Sequence, residues 1–211
     1  MKNPVNEWIQ RPLRYWYIDG LSEMAAGLLF VLIALLYFSV TLFPEDSSMP
    51  NWLLGIGQPA LILLAGWGLR KAVNALKERV TYPRTGYVEY RQPTGNRRWP
   101  RLILLGLVSG LVAAVVALLA GRLTARLIPL LIGIILAAYL VYMTANSGVI
   151  RLYINAAFTF LIGLAVTVLN PPEELLMVCF MAAFGLLWLI TGAITLVRYL
   201  GSTRPLEEGE E

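Results

Sequence analysis

Six stretches of this chain run without a charged side chain for the length needed to cross a bilayer: 24–43, 47–69, 102–121, 127–150, 152–172 and 175–197. A hydrocarbon core of roughly 30 Å takes about 20 residues at helical rise. Backbone groups in lipid must be paired within their own element, and the runs lack the two-residue alternation of a membrane barrel, so all six are expected to be helices. The first is expected to reach back towards Asp19. Of 211 residues 58% are hydrophobic, too apolar a composition for a soluble domain of this length. The apolar run begins after about 20 polar and aromatic residues and is longer than a signal core, so it reads as a retained helix rather than a cleavable leader. Cys179 stands alone inside the sixth run, which excludes an intramolecular disulfide and predicts a small buried hydrophobe.

Orientation follows from lysine and arginine, which stay on the cytoplasmic side of short loops. All of the 17 Lys and Arg except Arg122 and Arg126 fall on one side: the N-terminal arm, the connection between the second and third runs, the turn at Arg151 and the tail. The other side carries the acidic turns Pro44-Glu45-Asp46 and Pro171-Pro172-Glu173-Glu174. The fold class is therefore expected to be all-α, a polytopic membrane protein of six transmembrane helices forming three antiparallel hairpins, with both termini cytoplasmic. The expected location is the bacterial inner membrane. Residues 1–18 make an interfacial arm in which Trp8, Tyr15, Trp16 and Tyr17 suit the headgroup region. Residues 19–200 make the six-helix domain, and the acidic tail 201–211 reads as disordered.

The formal charge of +4 comes from the cytoplasmic belt, and an anionic leaflet accounts for it without nucleic acid. Within that belt the second helix is expected to continue beyond the membrane, through Lys71, Asn74, Lys77 and Glu78, until Thr81-Tyr82-Pro83 stops it. A short hairpin is expected over Tyr87–Arg91 and the turn 92–96. The basic loop 77–101 mixes Arg84, Arg91, Arg97 and Arg98 with Tyr87, Tyr90 and Trp99, a pairing of phosphate-seeking and interface-seeking side chains that suits an anionic membrane surface or a partner. A solvated linker that only fixes topology fits the same residues.

Packing in lipid relies on small residues. The third run offers Gly106-Gly110-Ala114 and Ser109-Ala113-Ala117-Gly121, the first offers Ser22 and Ala26, and the sixth offers Gly185 and Gly192. Gly55-Ile56-Gly57-Gln58-Pro59 predicts either a break that could gate a pathway or an interfacial turn at the helix entrance.

Chemistry is narrowed mainly by what is missing. With no histidine the chain lacks a serine-histidine or cysteine-histidine dyad, a histidine zinc site and a haem histidine; it also lacks a phosphate-cradling Gly-x-x-x-x-Gly-Lys loop and paired intramembrane aspartates. No enzyme activity and no cofactor are expected. Asp19 and Glu23, four residues apart on one helix face, are the ionisable pair nearest the hydrocarbon. Two roles fit them: capping the first helix while pairing with cytoplasmic arginines, or coupling to a transported cation. Asn146 and Asn155 lie towards the same side and could join Asp19 in a shallow polar pocket; local caps and interhelical hydrogen bonds are the plainer account.

Phe160-Leu161-Ile162-Gly163-Leu164 leading to Asn170-Pro171, followed by Gly185 and Gly192 in Phe184-Gly185-Leu186-Leu187-Trp188-Leu189-Ile190-Thr191-Gly192, resembles the repeat of the HdeD-like acid-resistance membrane proteins. The likeness covers about residues 152–200. It implies a compact six-helix inner-membrane bundle associated with envelope stress, and it supplies no catalytic residues. The first hairpin lacks the matching glycine before Pro44, and the basic 77–101 loop is outside that pattern. The function expected from all of this is non-enzymatic interaction, with anionic lipid, with a membrane-protein partner as an accessory subunit, or as a homodimer. The alternative is a small cation-coupled permease using Asp19 and Glu23.

Overall fold

A computed structural model describes residues 17–44, 46–81 and 125–203. Among these the structure is helical throughout: α1 (Leu21–Val40), α2 (Met49–Trp52), a π-helical turn (Leu53–Gly57), α3 (Gln58–Val80), a 3-10 turn (Ala125–Leu127), α4 (Ile128–Ser147), α5 (Arg151–Leu169) and α6 (Glu173–Ser202). Among the described residues five helical spans are long and apolar enough to cross a membrane, the segment from Met49 to Val80 counting as one. The third apolar run, the loop hairpin, most of the interfacial arm and most of the tail lie outside the described residues.

Local chemistry sets most helix ends. Gly20 precedes α1 with φ +76°, a left-handed conformation that costs glycine nothing and a residue with a Cβ about 1–2 kcal/mol. Pro129 sits in the first turn of α4, where its missing N–H is no loss, and Gly148 closes that helix at φ +69°. Asn170 ends α5 in the same left-handed region, just before Pro171 and Pro172. Glu173 and Glu174 then occupy the first turn of α6, where the helix dipole favours negative charge. α3 ends at Thr81, as the Thr81-Tyr82-Pro83 stop requires.

The closest helix contacts join the first described helix to the last. Gly20 and Gly27 are seven residues apart on α1's face, as are Gly185 and Gly192 on α6, and the two pairs meet in antiparallel register. A Cβ on Gly27 would lie 2.7 Å from the Gly185 carbonyl oxygen, and one on Gly192 2.9 Å from that of Gly20. Backbone touches backbone here, which lets dispersion contacts accumulate where lipid offers no hydrophobic drive between helices. α4 and α5 use the same device, with a Gly133 Cβ placed 3.2 Å from the Gly163 Cα. Gly27, Gly133 and Gly163 thus join Gly185 and Gly192 as contact residues, whereas Ser22 and Ala26 line cavities. Beside the α1/α6 crossing Phe30 meets the buried Phe184 edge-on at 4.6 Å, and Val166, Leu176 and Phe180 form a core between α5 and α6.

Two local expectations are corrected. Gly55–Pro59 neither breaks the second helix nor makes a separate turn: the chain stays helical from Met49 to Val80 through the π-turn. A Pro59 ring would press on the carbonyl of residue 55, and widening the helix by one residue per turn relieves that clash. Cys179 is exposed on α6 rather than buried. Leu176, Phe180 and Phe184 carry the buried stripe, and Cys179 is about 100° around the helix from it.

Candidate functional site: a buried charge cluster at one end of the bundle

The start of α1, the end of α3, the start of α5 and the last turns of α6 converge at the end that the charge count assigns to the cytoplasm. Asp19 lies two residues before the first residue of α1, and its Oδ1 accepts a hydrogen bond from the Leu21 backbone N–H at 3.1 Å. One of the four N–H groups left unpaired at a helix start is thereby satisfied. Its other oxygen, Oδ2, lies 3.3 Å from Lys77 Nζ and accepts the Thr81 hydroxyl at 2.9 Å. Asp19 is 0% exposed and Lys77 1%.

Lys77 reaches this position because Val73, Lys77 and Thr81 follow one another at four-residue spacing on the buried face of α3, while Glu78 and Arg79 face outwards. Tyr199, buried on α6, donates to the Thr81 carbonyl at 3.4 Å and so links α3 to α6. Thr81, at the end of α3, thus touches both α1's leading carboxylate and α6.

One turn into α1, Glu23 is also 0% exposed. Arg151, the first residue of α5, donates from Nε to Glu23 Oε1 at 2.8 Å, with Nη2 at 2.8 Å from the same oxygen. The Nη2 group also donates to the Tyr17 carbonyl. Glu23 Oε2 is buried and has no hydrogen-bond partner among the described residues. Burial pushes the Tyr17 phenol above its ordinary pKa, and Tyr139 and the Glu23 charge add to the effect.

Two carboxylates and two cations thus form a charge-balanced cluster that ties α1 to α3 and α1 to α5. Opposite charges at these distances attract strongly only where water is excluded, and desolvation offsets much of the gain. The arrangement therefore fixes which helix ends meet more than it adds net stability. Next to it a cavity of about 310 Å³ runs between α1, α4 and α6, lined by Tyr17, Phe30, Leu136, Tyr139, Met143 and Trp188 among others. No group of three or more His, Cys, Asp or Glu among the described residues is placed to hold a metal ion.

Of the residues singled out in the sequence, the structure brings together Asp19 and Glu23 and gives each a cation. Asn155 is buried and donates to Thr191 Oγ1 at 3.4 Å, while Thr159 donates to the Asn155 carbonyl at 2.7 Å. Asn155 thus makes a hydrogen bond from α5 to α6. The Asn146 side chain, and Arg84, Arg91, Arg97, Arg98, Tyr87, Tyr90 and Trp99, fall outside the described residues. Sequence reasoning missed Lys77 as a buried partner, together with Thr81 and Tyr199. The available signal was the Val73-Lys77-Thr81 spacing, which sets a lysine in line with an apolar residue on a helix leaving the membrane.

Fold and site together define an all-α chain of membrane-length helices, drawn together by glycine contacts and tied at one end by buried ion pairs. It matches no protein-family model, no curated protein and no solved structure.

Proposed function

We propose that this chain is a non-enzymatic integral protein of the bacterial inner membrane, with six spanning helices and both termini in the cytoplasm, that acts by interaction at its basic face. It binds anionic lipid there or serves as an accessory subunit of a larger membrane assembly. The observation that carries the reading is the engagement of both buried carboxylates: Lys77 neutralises Asp19 and Arg151 neutralises Glu23. Arg79 and Arg198, exposed at that end, then add net positive charge, which attracts an anionic leaflet or an acidic partner surface. The resemblance of residues 152–200 to HdeD-like proteins supports a role in envelope stress. Native mass spectrometry of the protein in mild detergent tests the reading. Anionic phospholipid or a partner is expected to remain bound at defined stoichiometry and to be lost on neutralising Arg84, Arg91, Arg97 and Arg98 together; a bare particle in both cases sinks it.

One observation favours a second reading, a small cation-coupled permease: the buried Glu23 Oε2 has no hydrogen-bond partner among the described residues. A carboxylate oxygen without a donor is a place for a proton or a small cation. Uptake into proteoliposomes would then vanish in Glu23→Gln with the fold intact, whereas unchanged uptake removes Glu23 from any transport step.

A further inference from the structure

A second recess of about 460 Å³ opens at the same end of the bundle, with Arg151 in its lining but not Glu23. Its lining includes Ile18, Arg151, Thr195, Arg198 and Ser202, and no acidic side chain. The Thr195 and Ser202 hydroxyls donate to carbonyls of their own helix, Thr191 and Tyr199. The donors available to a ligand are therefore the two guanidinium groups. Arg151 is held in place by Glu23 and the Tyr17 carbonyl through Nε and Nη2, which leaves its Nη1 edge without a partner among the described residues. Arg198 makes no ion pair among the described residues and is exposed.

The charge of the recess is that of Arg198 alone, because Glu23 balances Arg151. A single positive charge with two planar donor groups suits a phosphodiester, which guanidinium groups recognise through paired N–H donors. What lies beneath decides between a lipid and a free phosphate. Leu186, Ile190, Ile194 and Val197 form one exposed apolar stripe along α6 that ends beside Arg198, and Ile150, Ile154 and Phe158 form another along α5 that starts beside Arg151. A ligand whose phosphate sits between the arginines has apolar helix surface leading away from it on both neighbouring helices. A zwitterionic headgroup would bring its ammonium towards the same guanidinium groups, whereas an anionic one would not.

We infer that Arg151 and Arg198 hold the phosphate of an anionic diacyl phospholipid, with its acyl chains lying along the exposed stripes of α5 and α6. This site rests on the lipid-binding reading above and deepens it by naming residues beyond the 77–101 loop. The test is native mass spectrometry of protein released from nanodiscs that contain phosphatidylglycerol and phosphatidylcholine in equal amounts. The unaltered chain is expected to retain phosphatidylglycerol about fivefold over phosphatidylcholine, the size of one basic residue's attraction to an anionic leaflet. Arg198→Gln is expected to lower that ratio severalfold at an unchanged melting temperature, leaving only what the 77–101 arginines hold, and Arg198→Lys to keep most of it, because the charge stays.

A ratio that survives in Arg198→Gln but is lost when Arg84, Arg91, Arg97 and Arg98 are neutralised overturns the site and leaves the broader reading standing. A ratio near one in the unaltered chain overturns both. In a separate arm, inorganic phosphate is added to protein in phosphatidylcholine nanodiscs. Stabilisation equal to that given by phosphatidylglycerol overturns the lipid assignment in favour of a free anion.

Discussion

Replacing Asp19 with alanine is expected to lower the unfolding free energy of the bundle by about 3–5 kcal/mol, the cost of leaving one member of a buried ion pair without its partner. At 1% exposure Lys77 would lose the Asp19 charge in a site that water does not reach, and the Thr81 hydroxyl and the Leu21 N–H would lose this acceptor as well. The double change Asp19→Leu with Lys77→Met is expected to recover most of the loss, since an apolar pair of similar volume is often as stable as the ions it replaces. Glu23→Gln is expected to cost less than Asp19→Ala, because Arg151 is 29% exposed and water can take over part of its solvation. Denaturant titration in detergent micelles, followed by circular dichroism, measures all three. A double variant as unstable as the single one would show that the pair does more than balance charge.

Gly185→Leu is expected to be at least as damaging. A Cβ there would lie 2.8 Å from the Gly27 carbonyl oxygen and 2.9 Å from the Val31 backbone nitrogen, so the obstacle is main chain and cannot rotate away. α1 and α6 would have to separate along their whole crossing, pulling Phe30 from Phe184 and Gly20 from Gly192. Overpacking of this kind costs about 3 kcal/mol, and more where backbones must part. Thermal melting in micelles should show a drop larger than that for Gly66→Leu on α3, where a Cβ meets open space. Equal drops would mean that the α1/α6 contact does not hold the fold together.

The helices themselves were legible in the residues. Uncharged runs of spanning length, the Pro171-Pro172-Glu173-Glu174 turn and the Thr81 stop are local features, and each acts through backbone chemistry within a few residues. Lipid leaves no other way to pair the amides of such a run. The placement of Asp19 and Glu23 one turn apart at the start of the first helix was legible for the same reason: charge is read position by position.

Which helices touch, and which cations are taken inside, was settled only in three dimensions. Gly27 looked no different in sequence from Gly66 or Gly68, yet the first has a backbone against it and the other two have open space. That difference depends on how α1 is rotated and on its antiparallel register against α6, relations between segments more than 150 residues apart. Lys77 likewise counted as one of many cytoplasmic cations until the fold carried it 58 positions back along the chain to Asp19, just as Arg151 reaches Glu23 across 128. A lone sequence fixes where each charge lies along its own helix; the rotation and depth of the neighbouring helix decide whether water or a carboxylate meets it.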